Sequence, residues 1–195
     1  MARKDLSDAY PAGVQIVDFA ATTGNYYHTF TIPNSFADFG YQIDIAGYAQ
    51  NMGGATHMLY AQVNGINSGY IGGYRRMYNS ANAVPTQDSF AGVTWGYSLG
   101  ILGDYSANGH FNATANFGGL PRAVYGTRYF PCRSTCVFSP VGNAYVLTSD
   151  CGSVHTATAN DIAWATLRVG IARGSDGASV GYFQHTRIVL TPLGA

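Results

Sequence analysis

The chain has 195 residues, enough for one domain with a real core and short for two. Ten basic and ten acidic side chains cancel, so nothing in the charge suits a protein that neutralises the phosphates of a nucleic acid. There is no glutamate, Lys4 is the only lysine, and 25 glycines and 15 tyrosines are present, which leaves little material for exposed helix faces and reads as all-β.

The opening stretch, "MARKDLSDAYPAG", starts basic but continues through Ser7, Asp8 and Pro11 without an apolar run. It is not a signal peptide. Residues 1–12 are expected to form an N-terminal arm that docks on a neighbour, with residues 13–195 as the domain. No run of about 18 apolar residues occurs, so no membrane-spanning segment is expected.

From there strands are predicted at 13–20, 25–32, 41–49, 57–64 and 73–79, then at 90–102, 109–117, 123–130, 135–139 and 144–149, and finally at 161–172 and 180–192. Alternation is clearest where Tyr41, Ile43 and Ile45 oppose Gln42 and Asp44. Asn64–Gly65 and Asn108–Gly109 read as hairpin-type turns, and only 34–39 suits a short helical turn. About a dozen short strands in one domain predict an antiparallel β-sandwich of jelly-roll type.

Four patterns carry candidate chemistry. "SGYIGGYRRMYNS", from Ser68 to Ser80, interleaves tyrosine and arginine, and strand alternation puts Tyr74, Arg76 and Tyr78 on one face, Arg75 on the other. A guanidinium between phenol rings is a cation–π arrangement. With a nucleic-acid partner disfavoured by charge, an exposed Tyr74–Arg76–Tyr78 face fits a subunit contact first, a sugar platform second and a structural ladder third. "GYSLG", Gly96 to Gly100, matches a nucleophile elbow around Ser98, but it lies inside an apolar strand with no helix after it. Aspartate pairs would be the other route to hydrolysis, and most aspartates sit beside turn residues.

The fourth pattern is "CRSTC" followed by "CGSVH". Cys132, Cys136, Cys151 and His155 have the residue types of a structural zinc site. A hairpin turning at 141–142 would set Cys132 opposite Cys151, which suits a cross-strand disulfide and strands Cys136 and His155 away from each other. Buried free thiols without metal or other cofactor are the preferred reading. His28 and His185 sit in strands of aromatic and β-branched residues and are expected to be packed.

The "GNYYHTFTIP" opening strand, the Gly/Asn/Tyr-rich middle and the closing strand "HTRIVLTPLGA" give a texture that resembles tailed-bacteriophage virion structural proteins: head decorations, head fibres and tail fibres. That resemblance implies a symmetric homo-oligomer, a trimer first of all, that contacts other virion proteins and, as in many such proteins, host surface glycans. The expectation is a non-enzymatic building block of a virion, made in the host cytoplasm. A free carbohydrate-binding, lectin-like module is the alternative, and a small hydrolase the remote one.

Overall fold

The computed structural model describes residues 13–20, 26–32, 40–50, 56–80, 86–91, 94–103, 108–118, 123–124, 127–142, 145–158, 165–179 and 181–193. The arm expected at 1–12 and the helical turn expected at 34–39 lie outside the described residues. The strands are β1 Gln15–Phe19, β2 Tyr27–Thr31, β3 Tyr41–Gln50, β4 His57–Val63, β5 Tyr70–Ser80, β6 Thr86–Ala91, β7 Tyr97–Gly103, β8 Gly109–Phe117, β9 Ala123–Val124, β10 Thr127–Pro140, β11 Tyr145–Thr158, β12 Thr166–Arg173 and β13 Tyr182–Pro192.

All pairings are antiparallel, and they form two sheets. The smaller runs β2-β12-β4-β7; the larger runs β1-β13-β3-β8-β10-β11-β5-β6, with β9 paired to β10. Eight of the strands reproduce a jelly roll, β1-β13-β3-β8 facing β2-β12-β4-β7. The others arise from two insertions, one between β4 and β7 and one between β8 and β12. They pair with each other and extend the larger sheet past β8. The fold is therefore the antiparallel sandwich that composition and alternation led us to expect.

Alternation decides what the sheets bury. Tyr41, Ile43 and Ile45 of β3, and Phe111, Ala113, Ala115 and Phe117 of β8, point inward from the large sheet. They meet Phe30, Leu59, Val63, Leu167, Val169 and Ile171 from the small one. Strands β4 and β7 are different, each being buried along its whole length on both faces.

The structure corrects several local expectations. The stretch 90–102 is not one strand: β6 and β7 belong to different sheets and are separated by a bend at Trp95 and Gly96. Trp95 is held there by its indole N–H to the Gly174 carbonyl at 3.4 Å, and its own carbonyl accepts the Gln62 amide at 2.7 Å. Conversely, 123–130 and 135–139 do not stop where proline suggested, because β10 runs through Pro131. The Pro131 carbonyl accepts from the Gly118 N–H at 2.7 Å, just where the β8 ladder ends. Its missing N–H therefore falls at the end of a ladder, where it costs least. Asn64 and Gly65, with φ of 50° and 69°, do make a tight turn, but between strands of different sheets rather than in a hairpin. Asn64 adds a cap, its Oδ1 accepting from the N–H groups of Ala165 and Thr166 at 2.9 Å each. Asn108–Gly109 likewise closes no hairpin, since β7 and β8 lie in different sheets.

Candidate functional site

The tyrosine–arginine stretch forms most of β5, between β11 and β6. Strand alternation places Tyr74, Arg76 and Tyr78 on one side, but that side is the interior. Arg76 is only 9% exposed, and Tyr74 and Tyr78 pack against the core. The expectation of an exposed Tyr74–Arg76–Tyr78 face is therefore corrected. The extra strands of the large sheet still have an inner surface to fill, and long amphipathic side chains fill it. The Arg76 guanidinium lies 5.1 Å from the Tyr78 ring centroid, and Tyr78 meets Tyr145 edge-on at 5.9 Å. Asp88 is the Cα partner of Arg76 on β6.

Arg75 is on the outer face, and its surroundings were not singled out from the sequence. Ile71 is 63% exposed, Val137 46% and Met77 40%, with Val146 and Val141 also exposed. All lie on β5, β10 and β11 or the turn between the last two. The register arranges these outer residues in rows across β5 and β11: Ile71 beside Val154, Gly73 beside Gly152, Arg75 beside Asp150, Met77 beside Thr148. Arg75 and Asp150 are both exposed, and neither side chain makes a hydrogen bond or ion pair with a described residue. Some other outer charges are satisfied among the described residues, although Arg133, exposed on β10 beside Gly152, belongs to the same face as Arg75 and Asp150. Asp44 accepts from Thr114 and Gln42 at 2.8 Å each, and Arg187 holds Asp18 through two bonds of 2.7 and 2.8 Å.

The cysteine pattern has a structural meaning that metal spacing concealed. The β10–β11 hairpin does turn at 141–142, but its register pairs Ser134 with Cys151, Cys132 with Ser153 and Cys136 with Ser149. The predicted Cys132–Cys151 opposition is thus off by two residues, and the three thiols are free. Such diagonal neighbours lie about 7–8 Å apart, beyond the separation a disulfide spans. His155 is six positions along β11 from the partner of Cys136, roughly 20 Å at ~3.3 Å per residue. One tetrahedral ion cannot collect the four. His155 instead stacks on Tyr70, ring centroids 4.5 Å apart.

What the pattern does is receive β7. Cys132, Ser134 and Cys136 alternate inward on β10, and Ser149, Cys151 and Ser153 do so on β11. This patch of small side chains lets the backbone of β7 lie directly on the large sheet. A Cβ on Gly100 would stand 2.2 Å from the Cys136 Cβ. Strand β7 ends the small sheet, and hydroxyls of the patch pair with its outer edge. Ser149 Oγ accepts from the Ile101 N–H at 3.0 Å, Ser153 Oγ accepts from the Ser98 N–H at 3.3 Å, and Ser134 donates to the Ser98 carbonyl at 3.0 Å. Burial pushes the Cys151 thiol up to about 12, and raises those of Cys132 and Cys136 as well. Ser98 is 1% exposed, the second residue of this strand, and has none of the geometry of an elbow.

A second region is built on β13. Its pairing with β3 slips between Gln184 and Arg187, and His185 takes a left-handed φ of 42°. The slip turns Thr186 inward, over Gly47, where a Cβ would be 2.1 Å from Thr186 Oγ1. It turns His185 outward, so the expectation of a packed His185 is corrected. Two open hollows adjoin the exposed imidazole. One, of about 640 Å³, is lined by Asp18, Phe19 and Arg187, and the other, of about 550 Å³, by Tyr48, Gln50, His110 and Gln184. The Tyr48 and His110 rings meet edge-on at 5.0 Å. His28 is packed, its ring 4.6 Å from that of Phe30, and burial lowers its pKa.

No protein-family model matches the chain, and no curated protein matches it. Among solved structures, one described as the structure of infectious bursal disease virus, Gt strain, aligns with 92% of this chain at 10% identity and a TM-score of 0.13. This chain spans 41% of that one, and so low a score carries no argument about fold or function.

Proposed function

We propose that the chain is a non-enzymatic structural module of a phage virion, a homo-oligomeric jelly roll that docks through the outer face of its large sheet. The observation that carries this reading is that face: exposed Ile71, Met77, Val137 and Val146 around a charged pair that finds no partner within the described chain. Apolar surface grouped in this way marks an interaction site rather than ordinary solvent-facing sheet. The scarcity of charge across the whole sequence supports coverage by other subunits. Its place on a virion rests on the sequence texture and on analogy, since jelly rolls serve viral capsid proteins as well as lectins. Immunogold labelling of particles released by cells expressing the chain tests the reading. Regular labelling is the expected result. Unlabelled particles beside abundant free protein would overturn it.

The hollows beside His185 favour a second reading, a glycan-binding module. Aromatic Tyr48 and His110 next to the amides of Gln50 and Gln184 offer the ring and hydrogen-bonding groups that a neutral sugar uses. Under this reading Tyr48→Ala abolishes binding on a glycan array while the mass of the protein is unchanged.

A further inference from the structure

The large sheet has two faces, and among the described residues only the inner one is accounted for. On the outer one, the rows shared by β5 and β11 have a property beyond exposure. Each row pairs residues that would be good neighbours if the row met its own reverse: arginine with aspartate, glycine with glycine, isoleucine with valine, methionine with threonine.

We propose that a second copy of this chain covers the face, across a two-fold axis lying parallel to the strands between β5 and β11. This rests on reading the face as an assembly surface and names its occupant. Rotation about such an axis keeps each residue at its height along the strand and exchanges β5 with β11. Arg75 of each copy then meets Asp150 of the other, twice, at the centre of the contact. Ile71 meets Val154 and Met77 meets Thr148 on either side. A chain of zero net charge carries no long-range repulsion against itself.

The glycines support the same geometry. A Cβ on Gly152 would meet nothing within 4 Å, so the packing of the chain does not require glycine there, and its φ is not positive. Facing copies of the Gly73–Gly152 row give a reason, because two sheets approach most closely where side chains are absent. Size is adequate too. Eleven residues of β5 at ~3.3 Å and four strands, β6-β5-β11-β10, at ~4.8 Å give a face on the order of 700 Å². Stable interfaces bury about 800 Å² per partner. The contact is isologous and closes at two copies.

Charge exchange tests this directly in the full chain by sedimentation equilibrium, with circular dichroism and melting to confirm folding. Wild type is expected to be a dimer. R75D places two aspartates against two, and D150R two arginines against two, so each alone should weaken association at least tenfold. An equimolar mixture of R75D and D150R should recover the dimer as a one-to-one hybrid, because every facing pair is again complementary. Should either variant fold poorly, Gly152→Trp serves instead, since the added ring has open space in the monomer and blocks only a facing sheet. A wild-type monomer at hundreds of micromolar, a trimer, or single variants that stay dimeric would each overturn the proposal, as would a mixture that fails to hybridise. Particle attachment separates this from the wider reading. If Met77→Asp and Val137→Asp abolish labelling of virions while wild type is monomeric, the face docks on another protein and only the second-copy assignment falls.

Discussion

Arg75 and Arg76 are consecutive in sequence and opposite in role, because a strand sends neighbours to different faces. Arg76→Ala removes a buried side chain that packs on Tyr78, and should cost about 1–2 kcal/mol by urea denaturation, from the lost cation–π contact and the lost packing of its stem. Arg75→Ala should leave the denaturation midpoint unchanged at protein concentrations low enough to keep the chain monomeric, where no second copy contributes to stability. Equal effects of the two would contradict the assignment of faces. The buried thiols predict a pH response. Burial raises all three above their ordinary value of 9.0, so the unfolded chain releases these protons first. Their contribution is fully present below pH 9.0 and is lost as pH rises towards the folded values. The melting temperature should therefore fall above pH 9, and replacing the three cysteines by alanine should flatten that fall. What the sequence made legible at this scale was the alternation of Tyr74, Arg76 and Tyr78. Which side faced the core was not legible, since tyrosine and arginine suit an interface and a semi-polar interior equally well.

At the scale of elements, β7 governs the most. An end strand leaves one row of backbone groups unpaired, and burying such a row is costly unless something bonds to it. Three serines do so here. Ser149→Ala should destabilise the fold by about 1–3 kcal/mol, the penalty for a buried N–H left alone, and hydrogen exchange at the Ile101 amide should accelerate more than at neighbouring core amides. Gly100→Ala should cost about 1–3 kcal/mol through overpacking against Cys136, and Cys136→Gly in the same chain should recover part of it. An uncoupled pair would show that the strand does not lie where it is described. The sequence displayed this arrangement plainly as alternating cysteine and serine on two successive runs. It resembled a ligand set because small polar residues that admit a backbone are the same types that bind metal. The slip at His185 was not read from the sequence, which suggested a regular strand and a packed histidine. Phe183 and Ile188 both point inward across an odd spacing, which regular alternation forbids without an extra residue.

For the whole molecule, composition was sufficient to give the all-β class, since without glutamate and with one lysine there was little from which to build exposed helix faces, and the number of short alternating strands gave the sandwich. Among the described residues no helix is long and apolar enough to cross a membrane. The order of strands was not legible, because which strands neighbour one another depends on long-range pairing that no local pattern encodes. The two insertions matter most here. Strands β5 and β6 are far from β9, β10 and β11 in sequence, and together they form one continuous extension beyond β8. That extension carries both the Arg76 stripe within and the Arg75 face without. Removing either insertion would expose the unpaired edge of the other, so the outer face exists only as a joint product of both.

The positions of β12 and β13 have a consequence in time. The last two of the described strands are not at the margins: β13 lies between β1 and β3, and β12 between β2 and β4. Until residues 166–192 leave the ribosome, β1 and β2 lack the strands they pair with, and both sheets are split. The nascent chain must therefore wait, with strand edges open, and then close both sheets in one late step. Refolding of so non-local a topology belongs in the range of milliseconds to seconds. A chain that stops short of Tyr182 should fail to reach a protease-resistant state at all, however much of its core is already present.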